Sequence, residues 1–144
     1  GLYSYSDVVQ WATLTRATPD GRKCGDFLAQ GINPTRLHVN DISSVFRDVG
    51  RLPLERFPAN SVITLSMSRY GLTAELLKSF LKAWTISRAG GMLQLNCITR
   101  DELEDADKNP AAHRDLVVRL YGYSARYVTL DEERKAEFKS RNLF

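Results

Sequence analysis

The spacing of apolar residues divides the chain into short elements. From Ser61 to Ser68, Ile63, Leu65 and Met67 fall on one face with period two, which predicts a strand closed by Gly71. Leu72, Leu76, Leu77, Phe80, Leu81 and Trp84 then recur at helical spacing and predict a helix over 73–87 with a broad apolar stripe. That stripe reads as core packing. Thr73 is placed to cap the helix, and Glu75 lies in its first turn, where the dipole favours an anion. Ala89-Gly90-Gly91 ends it. Met92 to Ile98 predicts a second strand, apolar apart from Gln94 and Asn96 on one side. Thr99 and Glu102 form a capping box that opens a short acidic helix through Asp107. Asn109-Pro110 starts a further brief helical turn, Pro being suited to the first helical position. Two strand-like runs follow, 116–121 and 123–128, separated by Gly122. Asp131-Glu132-Glu133 opens a C-terminal helix that ends near Lys139 and Arg141, with charges matched to the dipole.

The first sixty residues are less regular. Residues 1–17 hold Leu2, Tyr3, Tyr5, Val8, Val9 and Trp11 and predict a buried segment. Thr18-Pro19-Asp20-Gly21-Arg22 has the composition of a tight turn. Residues 25–60 contain Gly25, Gly31, Pro34, Gly50, Pro53 and Pro58 and read as a long loop. A short helix over about 41–49, opened by Asn40 or Asp41, interrupts it. Loops of this length are usually functional or packed against something else.

Composition narrows the function classes. The 144 residues are 43 % apolar and 26 % charged, the balance of one globular domain or two small ones. Twenty basic residues against 17 acidic give +3, spread over both halves without a basic block, so no nucleic-acid partner is expected. No apolar run approaches the roughly 20 residues of a membrane helix, and no secretory signal is evident, so no membrane association is expected. Cys24 and Cys97 lie far apart, and His38 and His113 are isolated, which predicts neither a metal site nor a disulfide framework. A reducing cytoplasm fits this cysteine usage.

A glycine inside an aromatic, β-branched run normally marks a bulge, bend or close backbone approach. The surroundings of Gly122 suggest more. Arg119-Leu120-Tyr121-Gly122-Tyr123-Ser124-Ala125-Arg126-Tyr127 resembles the glycyl radical motif, Arg-Val-x-Gly-Tyr/Phe-Ser/Ala-x-x-Phe, with Leu120 in place of Val and Tyr127 in place of Phe. Thr18 to Lys23, followed by Gly25 and Leu28-Ala29, is similar to the ThrProAspGlyArg segment of the same family. Gln94-x-Asn96 after Gly90 resembles its Gly-Gly-x-x-x-Gln-x-Asn pattern, with Ala89 at the first glycine. Leu103, Ala106 and Pro110 fit the expected spacing before the radical loop. Together these landmarks span nearly the whole chain, which resembles the C-terminal part of a glycyl radical enzyme.

The resemblance implies an α/β chain: the C-terminal part of a ten-stranded β/α barrel, incomplete on its own. Residues 1–60 would supply a barrel segment and the long loop, and 61–144 the strand–helix–strand and radical region. Gly122 would be the catalytic residue, storing a protein-based radical installed by a separate radical SAM (iron–sulfur) activating enzyme. Only glycine offers a radical α-carbon an open face, because a Cβ would crowd the flattened centre. Leu120, Tyr121, Tyr123 and Tyr127 are expected to wall the radical from oxygen and water. Arg119 and Arg126 are expected to anchor the loop through ion pairs, and Gln94 and Asn96 to bond neighbouring backbone. The family also needs a thiyl-radical cysteine far upstream of the glycine. Neither cysteine here matches: Cys24 follows the turn, and Cys97 reads as a small hydrophobe in the second strand. The expected partner is a large subunit that carries that cysteine and binds the small-molecule substrate, for radical C–O, C–N or C–C cleavage of lyase type. Two other roles fit the motif: a spare domain that rescues an oxygen-damaged lyase, and a non-catalytic domain retaining the motif.

Overall fold

The computed structural model describes residues 8–33, 41–57, 61–141, 143 and 144. Leu2, Tyr3, Tyr5, Pro34, His38, Asn40 and Pro58 lie outside the described residues. The chain forms α1 (Val8–Leu14), α2 (Ile42–Val49), β1 (Val62–Met67), α3 (Ala74–Ser87), β2 (Met92–Cys97), α4 (Arg100–Lys108), β3 (Val117–Arg119), β4 (Ser124–Arg126) and α5 (Glu132–Ser140).

α2, α3, α4 and α5 begin where side-chain acceptors stand. Asp41, Thr73, Thr99 and Asp131 each accept a backbone N–H from the first turn that follows. This satisfies donors that have no partner inside the helix. The Thr99 box is half made: Thr99 caps Glu102, but the Glu102 carboxylate pairs with Arg69. At the amino end, Val8, Val9 and Ala12 share the buried face of α1, so the segment is helical. Trp11 does not join that face and is 57 % exposed, contrary to the sequence reading.

β1 and β2 run parallel, in register from Val62 opposite Met92 to Met67 opposite Cys97. A parallel pair cannot be joined by a tight turn, and α3 supplies the crossover. β1 is buried on both faces from Ile63 to Met67, with Thr64 and Ser66 inward as well. The stripe on α3 is core along one edge only. Phe80 is buried and meets Phe46 with ring centroids 5.1 Å apart. Leu72, Leu77 and Trp84 are half-buried, whereas Leu76 and Leu81 are exposed, because no described residue covers that side. α2 and α3 approach closely at Gly50, where a Cβ would come within 2.0 Å of the Ser87 carbonyl oxygen.

Buried side chains form two separate cores. One holds Val45, Phe46, Val49, Ile63, Leu65, Met67, Phe80 and Ala89 around β1, α2 and α3. The other gathers residues of α1, α4, α5 and the β3–β4 hairpin, including Val8, Leu103, Val118, Leu120, Tyr121, Tyr127 and Phe138. Backbone bonds of Phe144 to Ser66 and Ser68 (2.9 and 2.7 Å) tie the far end of the chain to β1. The result is a mixed α/β chain in which the hairpin sits on the second core.

Candidate functional site at the hairpin tip

β3 and β4 pair antiparallel, with Val117 opposite Arg126, Val118 opposite Ala125 and Arg119 opposite Ser124. The two runs read from sequence are therefore the arms of one hairpin. Tyr121-Gly122 is its two-residue turn, closed by Leu120 N–H donating to the Tyr123 carbonyl at 3.0 Å. Gly122 takes φ +94°, a left-handed conformation that strains any residue with a Cβ. It is exposed, and a Cβ built there would meet nothing within 4 Å. Backbone conformation thus favours glycine here, and its α-carbon is open to approach.

The neighbours do not enclose it. Leu120 and Tyr127 are fully buried and Tyr121 is nearly so, all within the core beneath the hairpin. Tyr123 is 42 % exposed, with its ring centroid 6.2 Å from that of Tyr121. The expected wall is therefore a foundation in this chain. A two-residue turn projects its tip while the flanking apolar side chains pack below it.

That foundation is polar as well as apolar. The Tyr121 hydroxyl donates to Glu137 at 3.1 Å. Glu137, 2 % exposed, also accepts two bonds from Arg141, at 3.0 and 2.8 Å. The Arg141 guanidinium lies 5.6 Å from the Tyr121 ring centroid and 4.8 Å from that of Phe138. Burial, followed by the charge of Glu137, raises the Tyr121 pKa well above the ordinary tyrosine range, so the hydroxyl stays a donor. On the other arm, the Tyr127 hydroxyl donates to Asp107 at 3.2 Å. Lys139 and Lys135 also reach Asp107, at 2.8 and 3.4 Å. Burial opposes ionisation of Asp107, but the two lysines outweigh it and its pKa is lowered.

Other predicted residues fall into place unevenly. Asn96 bonds backbone as expected: its Nδ2 donates to the Arg119 carbonyl at 3.0 Å, and Arg119 N–H donates to its Oδ1 at 2.6 Å. Gln94 instead accepts from the Thr64 hydroxyl at 3.1 Å, because its side chain lies against β1. Arg126 pairs with Asp115 at 3.7 Å, whereas Arg119 donates to the Ser124 hydroxyl at 3.3 Å. Cys97 is exposed at the end of β2, not a buried hydrophobe, and Cys24 is exposed too. In the Thr18–Arg22 turn, Gly21 N–H bonds the Thr18 carbonyl at 3.0 Å. Arg22 is buried, and its guanidinium donates to the carbonyls of Asp26, Thr15 and Arg16 at 2.5, 2.6 and 2.7 Å. This turn holds the end of α1, which packs under the hairpin. Among the described residues, no cluster of His, Cys, Asp and Glu could hold a metal, and no helix is long and apolar enough to cross a membrane.

Sequence reasoning missed Glu137, Arg141, Asp107 and the burial of Arg22. One signal was present: Glu137 and Arg141 stand four apart across the end of a helix, in the favourable order.

The family model described as "Glycine radical" matches residues 28–128, from the loop after the Thr18 turn to beyond β4. The chain belongs to the glycyl radical enzyme family. It is 32 % identical to the probable dehydratase YbiW of Escherichia coli (strain K12), over 98 % of this chain and 18 % of that protein. The glycerol-bound B12-independent glycerol dehydratase from Clostridium butyricum superposes with a TM-score of 0.87 at 30 % identity, over 99 % of this chain and 19 % of that one. A Roseburia inulinivorans structure concerned with 1,2-propanediol dehydration gives a TM-score of 0.89 at 26 % identity, over 100 % of this chain and 19 % of that one. The chain thus spans about a fifth of the length of these glycyl radical relatives.

Proposed function

We infer that Gly122 is the radical-bearing residue and that the chain stores a radical for a dehydratase-type lyase. The observation that carries this reading is the hairpin tip. Gly122 has positive φ, an exposed α-carbon and open space where a Cβ would be, in a chain of the glycyl radical family.

The chemistry follows from that carbon. Removing one hydrogen atom from Cα leaves an unpaired electron that spreads onto the flanking amide nitrogen and carbonyl as the centre flattens. A radical SAM activating enzyme takes that atom. The Gly122 radical then takes hydrogen from a cysteine S–H, which restores Gly122 and leaves a thiyl. The thiyl abstracts hydrogen from the substrate, and the atom is returned when the product forms. Cys24 and Cys97 are not assigned this role. The cysteine and the substrate pocket belong to the barrel-forming remainder, as a large partner subunit or as the rest of a longer polypeptide. That remainder also supplies the cover that the tip lacks in this chain, keeping oxygen and water from the radical. Glycerol and 1,2-propanediol, named for the similar structures, make small polyols the first substrates to try.

Electron paramagnetic resonance after anaerobic activation by a radical SAM activase tests the assignment. A doublet is expected from the parent and none from Gly122→Ala. A doublet that persists in that variant overturns it.

A further inference from the structure

Arg119 is the last residue of β3, three positions before Gly122. Along an antiparallel ladder, pairs that exchange backbone hydrogen bonds alternate with pairs that do not. Leu120 donates to Tyr123, so the neighbouring pair, Arg119 with Ser124, is of the second kind. The N–H and C=O of Arg119 therefore point away from β4, onto the outer edge of the hairpin. An edge of this kind needs another strand or water. Asn96 meets both groups, accepting from the N–H at 2.6 Å and donating to the carbonyl at 3.0 Å. Its side-chain amide stands in for the peptide of a further strand. Asn96 is itself buried, on the parallel sheet, in β2. Asp lacks the donor, Ser is too short for both bonds, and Gln is one methylene too long.

We propose that Asn96 is a positioning residue for Gly122, a latch that fixes the hairpin tip relative to the parallel sheet. The proposal rests on the reading of Gly122 as the radical residue. The two-core arrangement explains why a latch is needed. Among the described residues no buried side chain belongs to both cores, so polar contacts carry much of what fixes the hairpin against β1 and β2. Asn96 is the point where a buried side chain of the sheet grips the backbone of the hairpin. Arg141 reinforces it from just past the end of α5, reaching the same Arg119 carbonyl at 3.4 Å. Closed, the latch returns Gly122 to one place.

Asn96→Asp tests this, since it keeps the size and the acceptor and removes the donor. Thr64→Val is the comparison: it breaks the Thr64–Gln94 bond in the same sheet. Hydrogen–deuterium exchange is read first, on the unactivated protein in its full assembly. Amides of 117–126 are expected to exchange about tenfold faster in Asn96→Asp, the factor for one lost hydrogen bond. Amides of α4 should not change, and Thr64→Val should leave the hairpin at the parent rate. The second readout follows anaerobic activation. The Asn96→Asp doublet is expected to form and then to decay about tenfold faster than the parent's when dioxygen is admitted. Equal exchange in parent and variant overturns the latch, as does an equal rise in α4, which would be general loosening. Faster exchange with an unchanged decay overturns the positioning role. A missing doublet in the parent would instead refute the assignment of Gly122, while the exchange comparison still decides the latch.

Discussion

Removing the Glu137 carboxylate should be among the most damaging single changes in the second core. Glu137→Ala takes away the partner of two Arg141 bonds, at 3.0 and 2.8 Å, and the acceptor of the Tyr121 hydroxyl at 3.1 Å. The Arg141 side chain is only 10 % exposed, so its charge would stay in a poorly solvated place. Breaking one side of a buried ion pair typically destabilises by 3–5 kcal/mol. Arg141 keeps the Tyr121 and Phe138 rings and the Arg119 carbonyl, which moderate the loss. A cost of about 3 kcal/mol is expected. Equilibrium urea denaturation measures it, and the midpoint should fall by about 1–2 M. The double variant Glu137→Leu/Arg141→Met removes both charges and should lie within about 1 kcal/mol of the parent. Two results would refute the reasoning: a single variant costing under about 1 kcal/mol, or a double variant as unstable as the single.

Gly50→Ala forces a Cβ to 2.0 Å from the Ser87 carbonyl oxygen, where α2 meets α3, and should destabilise by about 3 kcal/mol in thermal melts. Gly122→Ala meets no such contact, so strain at φ +94° alone should lower stability by only about 1 kcal/mol, leaving a folded protein without a doublet. Asp107 has a folded pKa below its ordinary 3.8, so its contribution is complete above pH 3.8 and lost as pH falls through the folded value. Asp107→Asn should flatten that acid limb of the stability–pH curve. Tyr121 has a raised pKa, so its contribution should be complete below its ordinary 10.0 and fade in alkali beyond it. Denaturation of Tyr121→Phe across that range checks the sign.

What the sequence made legible was local. Asp41, Thr73, Thr99 and Asp131 cap helices because a short polar acceptor before an amphipathic run has one good use. β1 and β2 followed from apolar runs bounded by glycine. The motif at Gly122 could be seen, and the runs on either side of it were strands. Their antiparallel union was not legible, because only the φ of Gly122 separates a turn from a bulge. Also hidden was everything set by distant contact. Nothing in the run around Leu120 and Tyr121 shows that their side chains lie under the turn and not over it. Arg22 and Asp107 look like ordinary surface charges until the fold brings carbonyls to one and lysines to the other. The apolar stripe on α3 was read as core, but periodicity reports what a helix offers, not what covers it.

The separation of the two cores has an energetic consequence. Phe46 and Phe138 anchor different clusters, so substitutions at the two sites should sum, with little coupling between them. Each half can then drift in volume and shape without a matching change in the other. The family resemblance should survive such drift most stubbornly at the few positions answerable to both halves. Asn96 is one of these, and its side-chain amide has no substitute that keeps both of its bonds.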